Sequence, residues 1–103
     1  QPATSNQQPA TNMKIRLTAT IKGRVQGVGF RVSAMEKAAS LGLTGWVRNE
    51  WNRDVQTLAE GTQENLEAYL AWLHRGPIGA RVTSVSASWG AATGEFEGFE
   101  ITG

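Results

Sequence analysis

Apolar and polar residues alternate at the start of the patterned part of the chain, which opens at Met13. Between residues 15 and 21 every second residue is apolar, and Arg16, Thr18 and Thr20 lie between them. A period of two predicts a strand with one buried and one solvated face. After the glycine-rich segment 23–29, apolar residues recur at helical spacing from Phe30 to Leu41. This pattern predicts a helix, and Gly42 is well placed to end it.

The remaining pattern predicts strand, strand, helix and two further strands. The polar segment 50–54 reads as a hairpin between the first two of these strands. The predicted elements are strands at 43–49 and 55–60, a helix capped by Thr62 and stopped by Gly76 and Pro77, and strands at 80–89 and 96–102. The order β-α-β-β-α-β plus one further strand predicts an α+β, ferredoxin-like split βαβ sandwich. In that fold two helices cover one face of an antiparallel sheet.

The first twelve residues differ from the rest of the chain. Residues 1–12 carry no charge and no large apolar side chain, so we predict a disordered N-terminal tail before a domain at 13–103. The tail could be a natural extension, an added sequence or the remainder after removal of a signal. No segment resembles a membrane span or a signal peptide, and we therefore expect a cytoplasmic protein that contacts no membrane.

Composition excludes several kinds of site. The 103 residues include no Cys, one His and one Asp, which argues against disulfides, thiolate metal sites, a cysteine nucleophile and a multi-histidine metal site. We therefore expect no metal and no cofactor. Residues 1–53 carry a net charge of +6 and residues 54–103 a net charge of −5. The basic half could attract nucleic acid or a small anion, or the two halves could fold together and partly cancel.

The segment 23–31, GRVQGVGFR, carries the most specific chemistry. Gly27 and Gly29 permit backbone angles that let successive N–H groups converge, and the predicted helix adds its positive end. Arg31 adds a planar, permanently charged group. Together these features predict an anion site suited to phosphate, although a plain glycine turn with a surface arginine has the same spacing. Neither common nucleotide-binding glycine motif is present.

Residues 20–32, TIKGRVQGVGFRV, resemble the signature of the acylphosphatase family, G-x-V-Q-G-V-G-F-R. LGLTGWVRN at 41–49 is similar to the second signature of that family, and the E-G at 60–61 and G-P at 76–77 also match. The resemblance extends from about Ile15 to Ile101. One position departs from it, because Asn52-Arg53 stands where the family commonly has Asp-Gly. We expect this hairpin to lie away from the site.

The resemblance implies a role for each matching residue. Arg31 would bind the phosphoryl group together with the backbone N–H groups of Gln26, Gly27, Val28, Gly29 and Phe30. Asn49 would hold the attacking water. The family hydrolyses acyl phosphates without a metal, so the implied partner is a small-molecule acyl phosphate, and we expect a monomer that binds no nucleic acid.

Two alternatives stay open. GVGFRV echoes a motif of RNA-binding modules that share the ferredoxin-like fold, although that motif belongs on a strand with aromatic neighbours. The chain could also be an acylphosphatase-like domain of a larger carbamoyl-transferring protein. Lys22 and Arg24, which flank the glycine-rich segment, are either solvated or help to draw in an anionic substrate.

Overall fold

Five strands and two helices follow the predicted order in the computed structural model, which describes residues 13–103. The elements are β1 (Lys14–Arg24), α1 (Phe30–Ser40), β2 (Thr44–Asn49), β3 (Val55–Thr62), α2 (Gln63–Arg75), β4 (Arg81–Ala91) and β5 (Phe99–Thr102). The predicted tail at 1–12 lies outside the described residues. Thr62 caps α2 as predicted, because its hydroxyl accepts a hydrogen bond from the N–H of Asn65 at 3.4 Å. Gly42 follows α1 with a φ of 70°, as a helix-ending glycine should.

The strands form one sheet in the order β4-β1-β3-β2-β5. Neighbours are antiparallel except β2 and β5, which run parallel with Gly45 opposite Phe99. The predicted antiparallel sheet therefore has one parallel pair at its edge. The path of the chain explains it: after β4, residues 92–98 cross to the far edge, and β5 starts from the end at which β4 finished.

Both helices pack on one face of the sheet and share one apolar core. Leu17, Ala19 and Ile21 of β1 are at most 1% exposed, as their period of two predicts. The helices contribute Phe30, Ala34 and Ala38 from α1, and Leu66, Tyr69 and Leu73 from α2. Burial of each large apolar side chain contributes about 1.5–3 kcal/mol, so this core holds the helices on the sheet. Neither α1 nor α2 is long and apolar enough to cross a membrane.

The topology brings two predicted site segments to one end of the sheet. β1 and β2 are both antiparallel to β3, so their carboxyl ends lie at the same end. Val55, the first residue of β3, stands opposite both Ile21 and Asn49. The loop that follows β1 and the last residue of β2 therefore meet on either side of the start of β3.

Candidate active site

The loop between β1 and α1 turns through two glycines in the left-handed region. Gly27 has a φ of 77° and Gly29 a φ of 76°. Gly29 immediately precedes α1, and no side chain of the described residues caps the helix there. The first N–H groups of α1 are thus unoccupied by a capping side chain and lie at the positive end of the helix dipole. A Cβ at either glycine would meet no atom within 4 Å, so the space beside the loop is open. This backbone geometry can bind an anion.

Phe30 fixes the position of the loop. Its side chain is 2% exposed, and its ring lies 5.4 Å from the ring of Trp72 on α2. A Cβ at Gly76, the residue after α2, would come within 2.8 Å of the same ring. The start of α1 is therefore packed tightly against the end of α2, while the neighbouring Arg31 stays exposed.

One cavity of about 100 Å³ brings the predicted site residues together. Its lining consists of Val25, Gln26, Gly27, Gly29, Phe30, Arg31, Val32 and Asn49. Val28 is not part of the lining, since its side chain packs against the core, and it could contribute only its backbone. The cavity thus combines open left-handed glycines, a guanidinium group and a carboxamide from a separate strand.

The side chain of Gln26 performs a task that the sequence did not indicate. Its Nε2 donates to the backbone oxygens of Glu50 at 2.8 Å and of Asp54 at 2.9 Å. These two carbonyls lie on the hairpin between β2 and β3. Gln26 therefore ties that hairpin to the glycine loop, and its amide nitrogen is already engaged there.

Asn49, which lines the cavity, carries a buried polar atom without a partner among the described residues. Its Oδ1 is buried and has no hydrogen-bond partner within residues 13–103. Most buried polar atoms in folded proteins are paired, because an unpaired one costs about 1–3 kcal/mol. The carboxamide therefore has the capacity to accept one more hydrogen bond.

The hairpin at 50–54 is close to the site, and our expectation that it lies away from it was wrong. Its loop consists of the three residues 51–53, between Glu50 and Asp54. The N–H of Arg53 donates to the oxygen of Glu50 at 3.0 Å. Arg53, rather than Asn52, takes the left-handed conformation, with a φ of 80°. Asn52 instead accepts from the N–H of Asp54 at 3.1 Å. The position that such loops usually give to glycine is here an arginine.

A second cavity elsewhere does not suit a phosphoryl group. It has a volume of about 270 Å³ and lies beside Trp46 and Phe96, and its lining includes Glu95, Glu97 and Glu100 but no basic residue. An acidic lining repels a phosphate dianion. Within residues 13–103, no three His, Cys, Asp or Glu side chains form a group that could hold a metal ion.

The family model that matches this chain is that of acylphosphatase, over residues 17–101. The chain belongs to the acylphosphatase family. Both signature segments and the whole cavity lining lie inside the matched range. The resemblance drawn from the sequence is thereby confirmed, and the chain is an enzyme of the acylphosphatase type.

Individual relatives agree with this assignment. The acylphosphatase of Methylococcus capsulatus is 50% identical over 86 residues, which are 84% of this chain and 94% of the relative. That of Geobacter sulfurreducens is 46% identical over 89 residues, 86% of this chain and 98% of the relative. The crystal structure of acylphosphatase from Bacillus subtilis superposes with a TM-score of 0.83 at 31% identity, covering 85% of this chain and 98% of that one. The predicted α+β ferredoxin-like fold is therefore also confirmed.

Proposed function

We propose that this enzyme hydrolyses acyl phosphates to a carboxylate and inorganic phosphate by in-line attack of a water held by Asn49. Arg31 and the backbone N–H groups of residues 26–31 bind the phosphoryl group. The observation that carries the proposal is the cavity shared by the two left-handed glycines, the exposed Arg31 and Asn49, whose Oδ1 is buried and has no partner within residues 13–103.

The phosphoryl oxygens need positive charge and hydrogen-bond donors. A guanidinium presents paired N–H donors that match a phosphate, and charge-assisted bonds of this kind are about twice as strong as neutral ones. The backbone N–H groups at the start of α1 are fixed by the helix and by buried Phe30. Donors that are held in place before the reaction stabilise developing charge without reorganising.

The water needs a position rather than a strong base. Its oxygen forms a bond to phosphorus while the bond from phosphorus to the acyl oxygen breaks, and the carboxylate leaves with the bonding electron pair. The proton of the water passes to a phosphoryl oxygen of the substrate. Because a carboxylate is a good leaving group, the main requirement is in-line placement of the water, and the Oδ1 of Asn49 supplies an acceptor for it.

RNA binding is disfavoured by the open face of the sheet. Modules of that kind stack bases on aromatic side chains of the central strands. Here the inner strands are β1, β3 and β2. On the open face, β1 and β3 present no aromatic residue but Arg16, Thr18, Thr20, Gln56, Leu58 and the buried carboxylate Glu60. The one aromatic residue that β2 places on this face, Trp46, has the guanidinium of Arg48 4.5 Å from its ring.

Release of inorganic phosphate from acetyl phosphate and benzoyl phosphate tests the proposal. We expect hydrolysis of both, little or none of a phosphate monoester, and the same rates with and without EDTA. Activity that EDTA abolishes and a divalent ion restores would contradict the metal-free mechanism. Hydrolysis of the monoester in preference to both acyl phosphates would contradict the substrate class. The monomeric state stays a prediction, which light scattering tests.

A further inference from the structure

A third cavity, distinct from the acidic one beside Trp46, adjoins the phosphoryl site. It has a volume of about 270 Å³ and is lined by Gly23, Arg24, Val25, Gln26 and Arg53. Val25 and Gln26 also line the smaller cavity that holds Arg31 and Asn49. The two cavities are therefore neighbours that share a wall of two consecutive residues, whose Cα atoms are about 3.8 Å apart.

This third cavity is basic, and its two arginines are not neutralised by acidic side chains of the described residues. Arg24 and Arg53 are both exposed, and within residues 13–103 neither forms an ion pair. Asp54, the nearest acid along the hairpin, is occupied by Lys22, whose Nζ lies 2.6 Å from its Oδ2. Arg81 stands directly opposite Arg24 in the β1–β4 ladder. Like charges at opposite ladder positions repel each other, so an anion at this place would relieve an unfavourable arrangement.

The backbone beside both arginines is constrained. A Cβ at Gly23 would come within 2.1 Å of the backbone oxygen of Arg81, so only glycine allows β1 and β4 to approach this closely beside Arg24. Arg53 keeps a large side chain at a φ of 80°, in a conformation that glycine adopts more readily. The two hydrogen bonds from Gln26 fix the hairpin that contains Arg53 against the glycine-rich loop. A strained residue that is held by its surroundings beside a site points to a functional role.

We propose that Arg24 and Arg53 form an anion subsite for the acyl part of the substrate, so that the preferred substrates are acyl phosphates that carry a second anionic group. This inference rests on the proposed function. A carboxylate or a phosphate ester on a short acyl chain would reach the subsite while the phosphoryl group contacts Arg31. The guanidinium groups match either anion with paired N–H donors.

The kinetic experiment compares two substrates of which one carries an additional CH2–COO− group. Succinyl phosphate carries a free carboxylate on its acyl chain and acetyl phosphate does not. We expect the wild-type enzyme to have the higher kcat/KM for succinyl phosphate. In Arg53→Gly and Arg24→Ala we expect kcat/KM for succinyl phosphate to fall about tenfold or more, the effect of one lost charge-assisted hydrogen bond. For acetyl phosphate we expect a change of no more than about threefold.

The variants are chosen so that the hairpin keeps its shape. Glycine adopts the backbone conformation of Arg53 without strain, so Arg53→Gly removes the charge and not the turn. Lys14→Ala is the matched control, because Lys14 is an exposed cation at the opposite end of β1. We expect it to leave the ratio of the two kcat/KM values unchanged. Equal losses for both substrates in Arg53→Gly, or a change of ratio in Lys14→Ala, would overturn the subsite.

A binding measurement separates the subsite from the proposed reaction. Methylene analogues replace the acyl-oxygen bridge with CH2 and cannot be hydrolysed, so 4-oxo-5-phosphonopentanoate stands for succinyl phosphate and acetonylphosphonate for acetyl phosphate. We expect calorimetry to show tighter binding of the analogue with the carboxylate, and Arg53→Gly to remove that advantage. Equal affinities would overturn the subsite even if acetyl phosphate is hydrolysed. Tighter binding without turnover of any acyl phosphate would support the subsite and contradict the proposed function.

Discussion

β1 carries an arginine near each end, and the two are used differently. Arg16 is paired with Glu60 at 2.8 Å and with Glu95 at 3.1 Å, and its side chain is only 25% exposed. Arg24, at the other end of the strand, has no acidic partner within residues 13–103, and the same holds for Arg31. The comparison indicates that charge matched by the chain stabilises the fold, whereas charge left unmatched around a cavity is available to a ligand.

The end of β1 at which Arg16 pairs with Glu60 explains how β5, the last strand, reaches its place. Glu60 is 3% exposed and accepts hydrogen bonds from the N–H groups of Thr93 and Gly94 at 2.9 and 3.0 Å. Burial by itself would raise the pKa of the Glu60 carboxyl, but these two N–H groups and the Arg16 guanidinium lower it overall. The cluster fastens the crossing segment 92–98 to the sheet, and β5 then pairs beside β2.

The largest effect on activity is expected from Arg31→Gln. Loss of the guanidinium removes charge-assisted bonds to the phosphoryl oxygens, and we expect kcat/KM for acetyl phosphate to fall about 10³-fold or more. Arg16→Gln is the same change at the arginine that is paired with Glu60 and Glu95. It should lower the free energy of unfolding and leave the turnover of the folded enzyme near wild type. An Arg31→Gln enzyme that keeps most of its activity would disprove the assigned site.

Asn49→Ala should have the next largest effect. If Asn49 only positions the water, the variant should lower kcat about 10²-fold while KM changes little. Steady-state kinetics on benzoyl phosphate separate the two constants. A rise in KM with an unchanged kcat would instead make Asn49 a substrate-binding residue.

Gly29→Val tests the glycine-rich loop before α1, and Gly94→Val, in the segment 92–98, serves as its control. A β-branched residue opposes a φ of 76° and places its methyl groups in the open space beside the loop. We expect activity to fall about tenfold or more, since the backbone donors are displaced, while circular dichroism keeps its wild-type shape. Gly94→Val has a nearly equal φ of 74° and the same open surroundings. That control should keep its activity even if it loses more stability, because the N–H of Gly94 also donates to Glu60.

Glu60→Gln should change stability alone. The neutral carboxamide of the glutamine would accept weaker hydrogen bonds than the carboxylate of Glu60 does. We expect the free energy of unfolding to fall by about 1–3 kcal/mol at pH 7. Because the pKa of Glu60 is lowered on folding from 4.5, its contribution is present above that pH and is lost as pH falls through the folded value. Urea unfolding at pH 7 and in acid should therefore show a difference from wild type that shrinks in acid. A difference that stays constant with pH would contradict this assignment.

The sequence predicted local features better than contacts between distant segments. The element order was predicted from the period of two in β1, the helical spacing in α1 and the helix-end signals at Thr62 and Gly42. Each of these signals depends on neighbouring residues. The last strand was predicted, but its parallel pairing with β2 was missed. That pairing depends on the segment that Glu60 fastens to the sheet, and Glu60 lies 33 residues before Thr93 in the chain.

The site residues likewise fall into those that local sequence predicts and those that depend on contacts between distant segments. Two glycines before a helix indicated an anion site, and Arg31 followed from them. Asn49 came only from the family resemblance, because nothing in its own segment shows that β2 ends beside the loop. The link from Gln26 to the hairpin spans 24 and 28 residues, so sequence reasoning placed the hairpin away from the site.

Calorimetric titration with inorganic phosphate tests most directly the division of labour between Arg31 and Asn49. Phosphate is the reaction product and should occupy the phosphoryl site without any chemistry. We predict that Asn49→Ala binds phosphate about as tightly as wild type, and that Arg31→Gln binds it at least about tenfold more weakly. Wild-type affinity in Arg31→Gln, or equal loss of affinity in both variants, would contradict the account.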